Sequence, residues 1–402
     1  MNKEKITFII PTRNNKRFFE LSYNSIRKYY PTIEICVADD SSSDGTAEFL
    51  INLSKIDNNL KYIISTEKIF LGHTILYDKL INEVCTNNLF IIWHADMICS
   101  KNFVENLLKH LKPKTVVSAT RIEPPLHPEE PLVKIIKDFG LYHDEFKSEE
   151  FESFVNEEII KNKDKTTEGI FAPWMMYKED FQIIGGHDDL FKPYPYEDSD
   201  IFQRFILAGY QTIQSWDAFC YHFTCRGNRW TEKIGVNHSQ YALFEERARR
   251  NFIRKWGTWI NNNEFGKPIV QHKYDIGFIF PEYEMNASGL FFYEPWCSDI
   301  YIEPSEEVTA KEDYIKTEQS KTSFDLSKKI HYINEKEPDN DIVIDFKNTI
   351  KNTSGHIGWL LLNIPRLITS ANETGIFESN GVIVQINKIR PIEKELISCI
   401  RK

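Results

Sequence analysis

The chain has 402 residues, is 41% hydrophobic and 13% aromatic, and carries a formal net charge of −10. That length exceeds one ordinary domain and supplies a large core, while the acidic balance without a Lys/Arg cluster argues against nucleic acid as a partner. The stretch MNKEKITFIIPTRNN is too polar for a signal peptide, and the greasiest run, Ile357–Ile368, is too short and too interrupted to span a bilayer.

Ile6–Ile10 is a continuous apolar run, the pattern of a strand buried on both faces. Pro11-Thr12-Arg13-Asn14-Asn15 ends it. Phe18, Leu21, Ser22, Ser25, Ile26 and Tyr29 then share one helical face, which Pro31 closes. Ile33–Ala38 repeats the strand pattern and runs into the polar turn Asp39–Thr46, where Asp40 or Ser41 would cap a helix over 47–53. Strand, helix and strand recur over Leu60–Ile64, 72–84 and Leu89–Trp93, the last ending in His94-Ala95-Asp96-Met97. Such alternation predicts right-handed βαβ units and a mainly parallel sheet. Polar clusters follow the first, second and fourth strands, at the edge where open α/β sheets bind ligands.

A helix over 103–111 and a strand over Thr115–Thr120 come next. Residues 123–168 open with Pro124, Pro125, Pro128 and Pro131 and turn Glu/Lys-rich. They read as an insertion over the sheet edge, either a lid or acceptor loop or a plain solvated helix. Regularity returns at Gly169–Tyr177. In Pro193–Gly209 two prolines fix an extended approach to three acids, Glu197, Asp198 and Asp200, and a short apolar helix follows. One acid is enough to cap a helix; three crowded carboxylates point to a perturbed pKa in a cleft. Gln211–Ile213 reads as a strand, Asp217–Trp230 is dense in aromatic and polar groups, and a helix over 237–256 closes a first domain at about residue 270.

Residues 271–325 read as a linker or extension, polar and acidic over 304–322. Asp341–Phe346, His356–Leu362 and Gly381–Ile386 read as strands or buried segments of a small α+β domain over 326–402, without a chemical motif of its own. Its roles open to expectation are homo-oligomerisation and acceptor docking. The seven scattered cysteines suit free thiols in a reducing compartment, so the chain reads as cytoplasmic, with the sequons at Asn286, Asn352 and Asn372 unused.

Residue by residue, the candidate groups each have a plain alternative. Pro11, Thr12 and Arg13 could meet a nucleoside or merely turn the chain. Asp39 could accept from a base or ribose, or cap. Asp96 could hold a divalent cation, whose protein ligands often number only one or two when phosphates complete the shell. A lone His222 is more often structural than a ligand, and the Cys220/Cys225 pair beside it lacks the second pair a zinc site wants.

Taken together, FIIPTRNN (8–15), VADDSSSDGT (37–46), FIIWHADM (90–97), IIGGHDDLF (183–191), YEDSDIFQRFILAGY (196–210) and YHF (221–223) resemble the GT-A glycosyltransferases, specifically the inverting family 2 group, over residues 5–230. The resemblance implies a Rossmann-like sheet flanked by helices. It also implies metal-assisted transfer of a sugar from a nucleotide-sugar, UDP favoured, to a hydroxyl of a glycan or other acceptor, with inversion. Pro11, Thr12, Arg13 and Asp39 would then hold the nucleoside. Asp96 and His222 would hold Mn2+ or Mg2+ against the diphosphate. Asp198 would be the general base with Glu197 beside it, and Trp174 and Asp200 would meet the acceptor. The chain departs from the family's acidic motif at His94-Ala95-Asp96, which has one carboxylate in place of two or three. That thinning raises a second class, a degenerate domain that only binds a nucleotide-sugar or glycan.

Overall fold

A computed structural model of the chain describes residues 5–66, 70–129, 131–227, 229–231, 233–281, 285–304, 309–346, 354–379 and 381–399. Asn352 and residues 305–308 of the polar stretch therefore lie outside the described residues. Two compact units emerge, residues 1–244 with 261–269, and residues 245–260 with 270–402.

The first unit is built on one mixed sheet. Its strands are β1 (Ile6–Thr12), β2 (Glu34–Asp39), β3 (Leu60–Ile64), β4 (Leu89–Ile92), β5 (Met97–Cys99), β6 (Thr115–Glu123), β7 (Lys134–Ile136), β8 (Thr166–Thr167), β9 (Trp174–Tyr177) and β10 (Gln211–His222). The order is β3-β2-β1-β4-β9-β6-β10-β5, with β7 added beside β6 and β8 beside β10. Strands β1 to β4 pair in parallel, as their unbroken apolar runs require, and β9 enters antiparallel between β4 and β6.

Helices α1 (Lys16–Tyr29), α2 (Thr46–Ser54), α3 (Gly72–Lys79), α4 (Phe103–Leu108), α5 (Ser148–Lys161), α6 (Lys178–Ile184) and α7 (Glu197–Leu207) connect these strands. Helix α1 buries Phe19, Ser22, Tyr23 and Ile26, the three-and-four spacing of one helix face. They meet Phe8, Ile35, Val37, Trp93 and Phe103 in the core, where Trp93 also donates to Ser22 Oγ at 2.9 Å.

Two expectations change here. Strand β10 runs on to His222, well past Ile213, with an irregularity between Ser215 and Phe219. Buried Asp217 marks that break, held by Lys109 and Ser215, and its polarity hides the strand's continuity from the sequence pattern. The 123–168 insertion is part of the fold: β7 extends the sheet and α5 seats Phe151 and Val155 among Ile122, Phe139, Phe219 and Tyr221.

The second unit holds most of α8 (Tyr241–Trp256) and a separate six-stranded sheet. Strands β11 (Ile276–Phe280), β12 (Asp299–Ile302), β13 (Ile330–Tyr332) and β14 (Ile342–Asp345) are parallel, and the hairpin of β15 (Gly375–Ser379) and β16 (Val382–Ile386) adds antiparallel to β14. Helices α9 (Ala287–Tyr293), α10 (Ala310–Glu318), α11 (Ser354–Ala371) and α12 (Lys394–Ile397) complete it. Residues 271–325, expected as a linker or extension, supply two strands and two helices. The polar pattern of this stretch hides its structure because Glu294 and Glu318 are buried in pairs: Arg254 grips Glu294 at 2.7 Å and Glu318 at 2.9 Å, and Lys329 reaches Glu294 at 2.7 Å. His356–Leu362 lies in α11, whose Leu360, Leu361, Ile364 and Ile368 enter the second core. Among the described residues no helix is long and apolar enough to cross a membrane.

Candidate active site

The carboxyl ends of β1 and β4 open onto a cavity of about 410 Å³ within the first unit. Three chain segments meet at one wall. After β4 the chain turns through His94 and Asp96 into β5, whose Met97 stands opposite His222 of β10. That antiparallel pairing brings Asp96 to His222, and Phe223 N donates to the Asp96 carbonyl at 3.1 Å. His222 Nε2 lies 3.4 Å from Asp96 Oδ1 and 3.5 Å from His94 Nδ1. Ligand atoms of the three residues all lie within 4.8 Å of one another.

A second carboxylate stands behind the trio. The parallel register of β6 and β10 sets Ile122 beside Tyr221, so Glu123 follows beside His222, and its Oε1 is 2.8 Å from His222 Nδ1. A carboxylate on the far imidazole nitrogen fixes the ring and leaves Nε2 facing the trio, the arrangement metal-ligating histidines use. Burial would lower the His222 pKa, but Asp96 and Glu123 outweigh it and push it up to about 9. Burial, reinforced by His222, drives His94 down to about 3, so its ring is neutral at neutral pH. Burial works to raise Asp96, yet His222 and His94 hold it below the usual carboxylate range.

The acid pair of Glu197 and Asp198 lines the same cavity. Helix α7 follows Tyr196, whose backbone is left-handed at φ 74°, and no side chain caps it. Burial raises both carboxyls, and Asp198's charge raises Glu197 further. Asp198 Oδ1 accepts from Ser199 N at 2.6 Å and Ser199 Oγ at 3.3 Å, whereas Glu197 Oε2 is buried without a hydrogen-bond partner. Hydrogen bonds to Asp198 favour its charged form, whereas Glu197 Oε2 has none to offset its burial.

Pro11, Thr12 and Arg13 line the same cavity. Thr12 Oγ1 is buried without a partner. Arg13 covers the Phe70 ring at 4.5 Å and donates to the Asp40 carbonyl at 2.7 Å. Asp39 opens instead onto an adjoining pocket of about 170 Å³ with Ile63, Ser65, Thr66 and Lys79. Its Oδ2 accepts from Ser42 N at 3.3 Å, while Oδ1 is buried and unpartnered. Asp40 does not cap α2. It holds the start of α3, accepting from Leu71 N at 3.1 Å and Gly72 N at 2.9 Å. Asp44 takes Thr46 N at 3.1 Å in its place.

Two expected acceptor residues sit differently. Asp200 is fully buried in an ion pair with Arg204 at 2.8 Å, and Arg204 goes on to the carbonyls of Ile184 and Gly186. Asp200 is not among the residues that line the cavity; it anchors α7 to α6. Trp174 borders the cavity but is only 2% exposed, with its ring edge-on to Phe90, Phe202 and Phe205. His94, Glu123, Arg121 and Lys134 are cavity residues that motif spacing did not single out. His94 stood in a recognised segment. Glu123 and Arg121 could have been found from the i, i+2 alternation at the end of a strand, had that strand been read three residues longer.

The model of the glycosyl transferase family 2 matches residues 7–178. A GalNAc(5)-diNAcBac-PP-undecaprenol beta-1,3-glucosyltransferase from Campylobacter jejuni is 37% identical over 62 residues, 15% of this chain and 20% of its own length. The abequosyltransferase RfbV of Salmonella typhimurium is 39% identical over 70 residues, 17% of this chain and 21% of its own. The matched part thus spans about one fifth of these relatives. Among solved structures, a Pyrobaculum calidifontis mannosyltransferase in complex with GDP-Man and Mn2+ superposes with TM-score 0.42 at 17% identity, covering 63% of this chain and 64% of its own. GalNAc-T7 with UDP, GalNAc and Mn2+ gives 0.44 at 13%, covering 62% and 47%.

Proposed function

Residues 7–178 match the glycosyl transferase family 2 model, and from that premise we propose that the first unit moves a sugar from a nucleotide-sugar, UDP favoured, to an acceptor hydroxyl with inversion. The observation that carries this reading is the meeting of two unlike groups in one cavity: the His94–Asp96–His222 trio and the acid pair Glu197–Asp198. The trio makes good the thinned acidic motif, since His94 and His222 bring two nitrogen ligands to the single carboxylate. It fits a divalent cation, with Glu123 orienting His222. Two imidazoles favour Mn2+ over Mg2+, which keeps to oxygen ligands. A bound cation would neutralise the charge that develops on the departing diphosphate.

The chain's own residues supply the rest. Asp39 Oδ1 and Thr12 Oγ1 are buried acceptors in want of donors, suited to a base N–H and a ribose hydroxyl. Asp198, the charged member of the acid pair, takes the proton of the attacking hydroxyl. Glu197, protonated beside it, spares Asp198 a like charge. Asp198 as a single base, with the trio meeting the leaving group, corresponds to direct attack by the acceptor hydroxyl and hence to inversion.

Asp198→Asn tests the assignment. General-base catalysis is worth about 10²–10⁴-fold, so transfer falls by that order while UDP affinity stays within a few-fold. Transfer at wild-type rate in this variant removes Asp198 from the role.

A further inference from the structure

Beside the trio the cavity carries two cations, Arg121 and Lys134, that a sugar with neutral hydroxyls does not need. Their places follow from strand register. Arg121 and Glu123 sit two apart on β6 and so share a face, and the parallel pairing of β6 with β7 sets Lys134 directly beside Arg121. Lys134 comes from the insertion at 123–168. Arg121 Nε lies 3.3 Å from Glu123 Oε1, and Lys134 Nζ lies 3.3 Å from Glu123 Oε2. One carboxylate, already engaged with His222, thus faces two fixed cations whose side chains are each 7% exposed.

Arg121 is the telling member. Its guanidinium lies on the Phe171 ring at 3.9 Å and lines the cavity. Nε is buried without a hydrogen-bond partner, and the guanidinium makes no hydrogen bond among the described residues. A guanidinium nitrogen buried without a hydrogen-bond partner is uncommon, because burial strips it of water without replacing the lost hydrogen bond. Arg121 lines the same cavity as His94 and Asp198, and its charge reaches both. A planar fork held flat on an aromatic ring suits bidentate pairing with a carboxylate or phosphate.

We propose that Arg121, with Lys134 beside it, is a subsite for an anionic group, carboxylate or phosphate, borne by the acceptor or by the transferred sugar. The inference rests on the transferase reading above and narrows its substrates to charged sugars.

Calorimetric titration of the full chain with MnCl2 present tests it with two matched pairs. Glucose 6-phosphate against glucose reads the acceptor source, and UDP-glucuronate against UDP-glucose reads the donor sugar. In at least one pair the anionic member binds wild type tenfold or more tightly than its neutral partner. Arg121→Gln abolishes that difference and leaves UDP affinity within twofold; Arg121→Lys keeps part of it. Equal binding in both pairs, or none, overturns the proposal, and this comparison needs only wild type should a variant not fold. An Arg121→Gln loss that falls equally on UDP itself also overturns it, by assigning the guanidinium to the diphosphate. Absence of binding by UDP and by both UDP-sugars contradicts the transferase reading instead, and the glucose 6-phosphate pair still reads the subsite.

Discussion

Asp198 and His222 show how burial and partners set chemistry one side chain at a time. The Asp198 carboxyl is raised by burial, and the base role proposed for it requires its charged form. The acid limb of the kcat/KM profile should therefore lie above the ordinary aspartate value of about 3.9, and Asp198→Asn should erase that limb along with most of the rate. Stability runs the other way. A raised carboxyl pKa favours the fold at low pH and loses that contribution as pH climbs from the unfolded value through the folded one. At pH 8 Asp198→Asn should melt above wild type, and a lower melting temperature would contradict the burial argument. His222 depends on Glu123 at 2.8 Å for its orientation. Glu123→Gln keeps the shape but loses the charge, so Mn2+ affinity should fall by about 10–100-fold in a titration. Unchanged affinity would leave Glu123 a bystander.

At the scale of elements, strand ends position the site. The β5–β10 pairing joins Asp96 to His222, and β6 carries Arg121 and Glu123 to the same edge. The start of α3 shows how tightly one joint is made. Gly72 has φ +76°, and a Cβ there would lie 2.2 Å from Pro193 Cβ and 2.3 Å from the Pro193 carbonyl. Gly72→Ala should cost about 2 kcal/mol or more in denaturant unfolding, through backbone strain and overpacking together. A change under about 0.5 kcal/mol would mean that the 193–196 approach to the acids yields easily.

Much of this level was legible in advance. The strands of the first hundred residues followed from apolar runs and their polar endings, and the acids of 197–200 from their crowding at a helix start, whereas Asp96 and His222 were joined only through the family resemblance. The length of β10 was not, because Ser215 and Asp217 interrupt its pattern and only tertiary pairing satisfies them. Nor was the place of Asp200, which looks like Asp198 in sequence and differs only in having Arg204 four residues on.

On the scale of the whole molecule, the second unit was the hardest to read. Its strands are short and its helices carry charges that seem to belong at a surface. Those charges are partnered inside: Arg254, Glu294, Glu318 and Lys329 form one buried network, with Tyr314 donating to Glu294 at 2.7 Å. Removing one member strands the others, which typically costs about 3–5 kcal/mol. Glu294→Gln should therefore lower the unfolding midpoint of this unit strongly, and a mild effect would show the network to be dispensable. Among the described residues this unit offers no counterpart to the trio of the first.

The central claim is that the first unit holds a nucleotide-sugar through a divalent cation on His94, Asp96 and His222. Isothermal titration of UDP into the full chain, with and without Mn2+, tests it most directly when repeated on Asp96→Ala. The account predicts binding that strengthens at least tenfold with Mn2+ in wild type and loses that gain in the variant. UDP binding indifferent to Mn2+, or equally metal-dependent in both proteins, would contradict it.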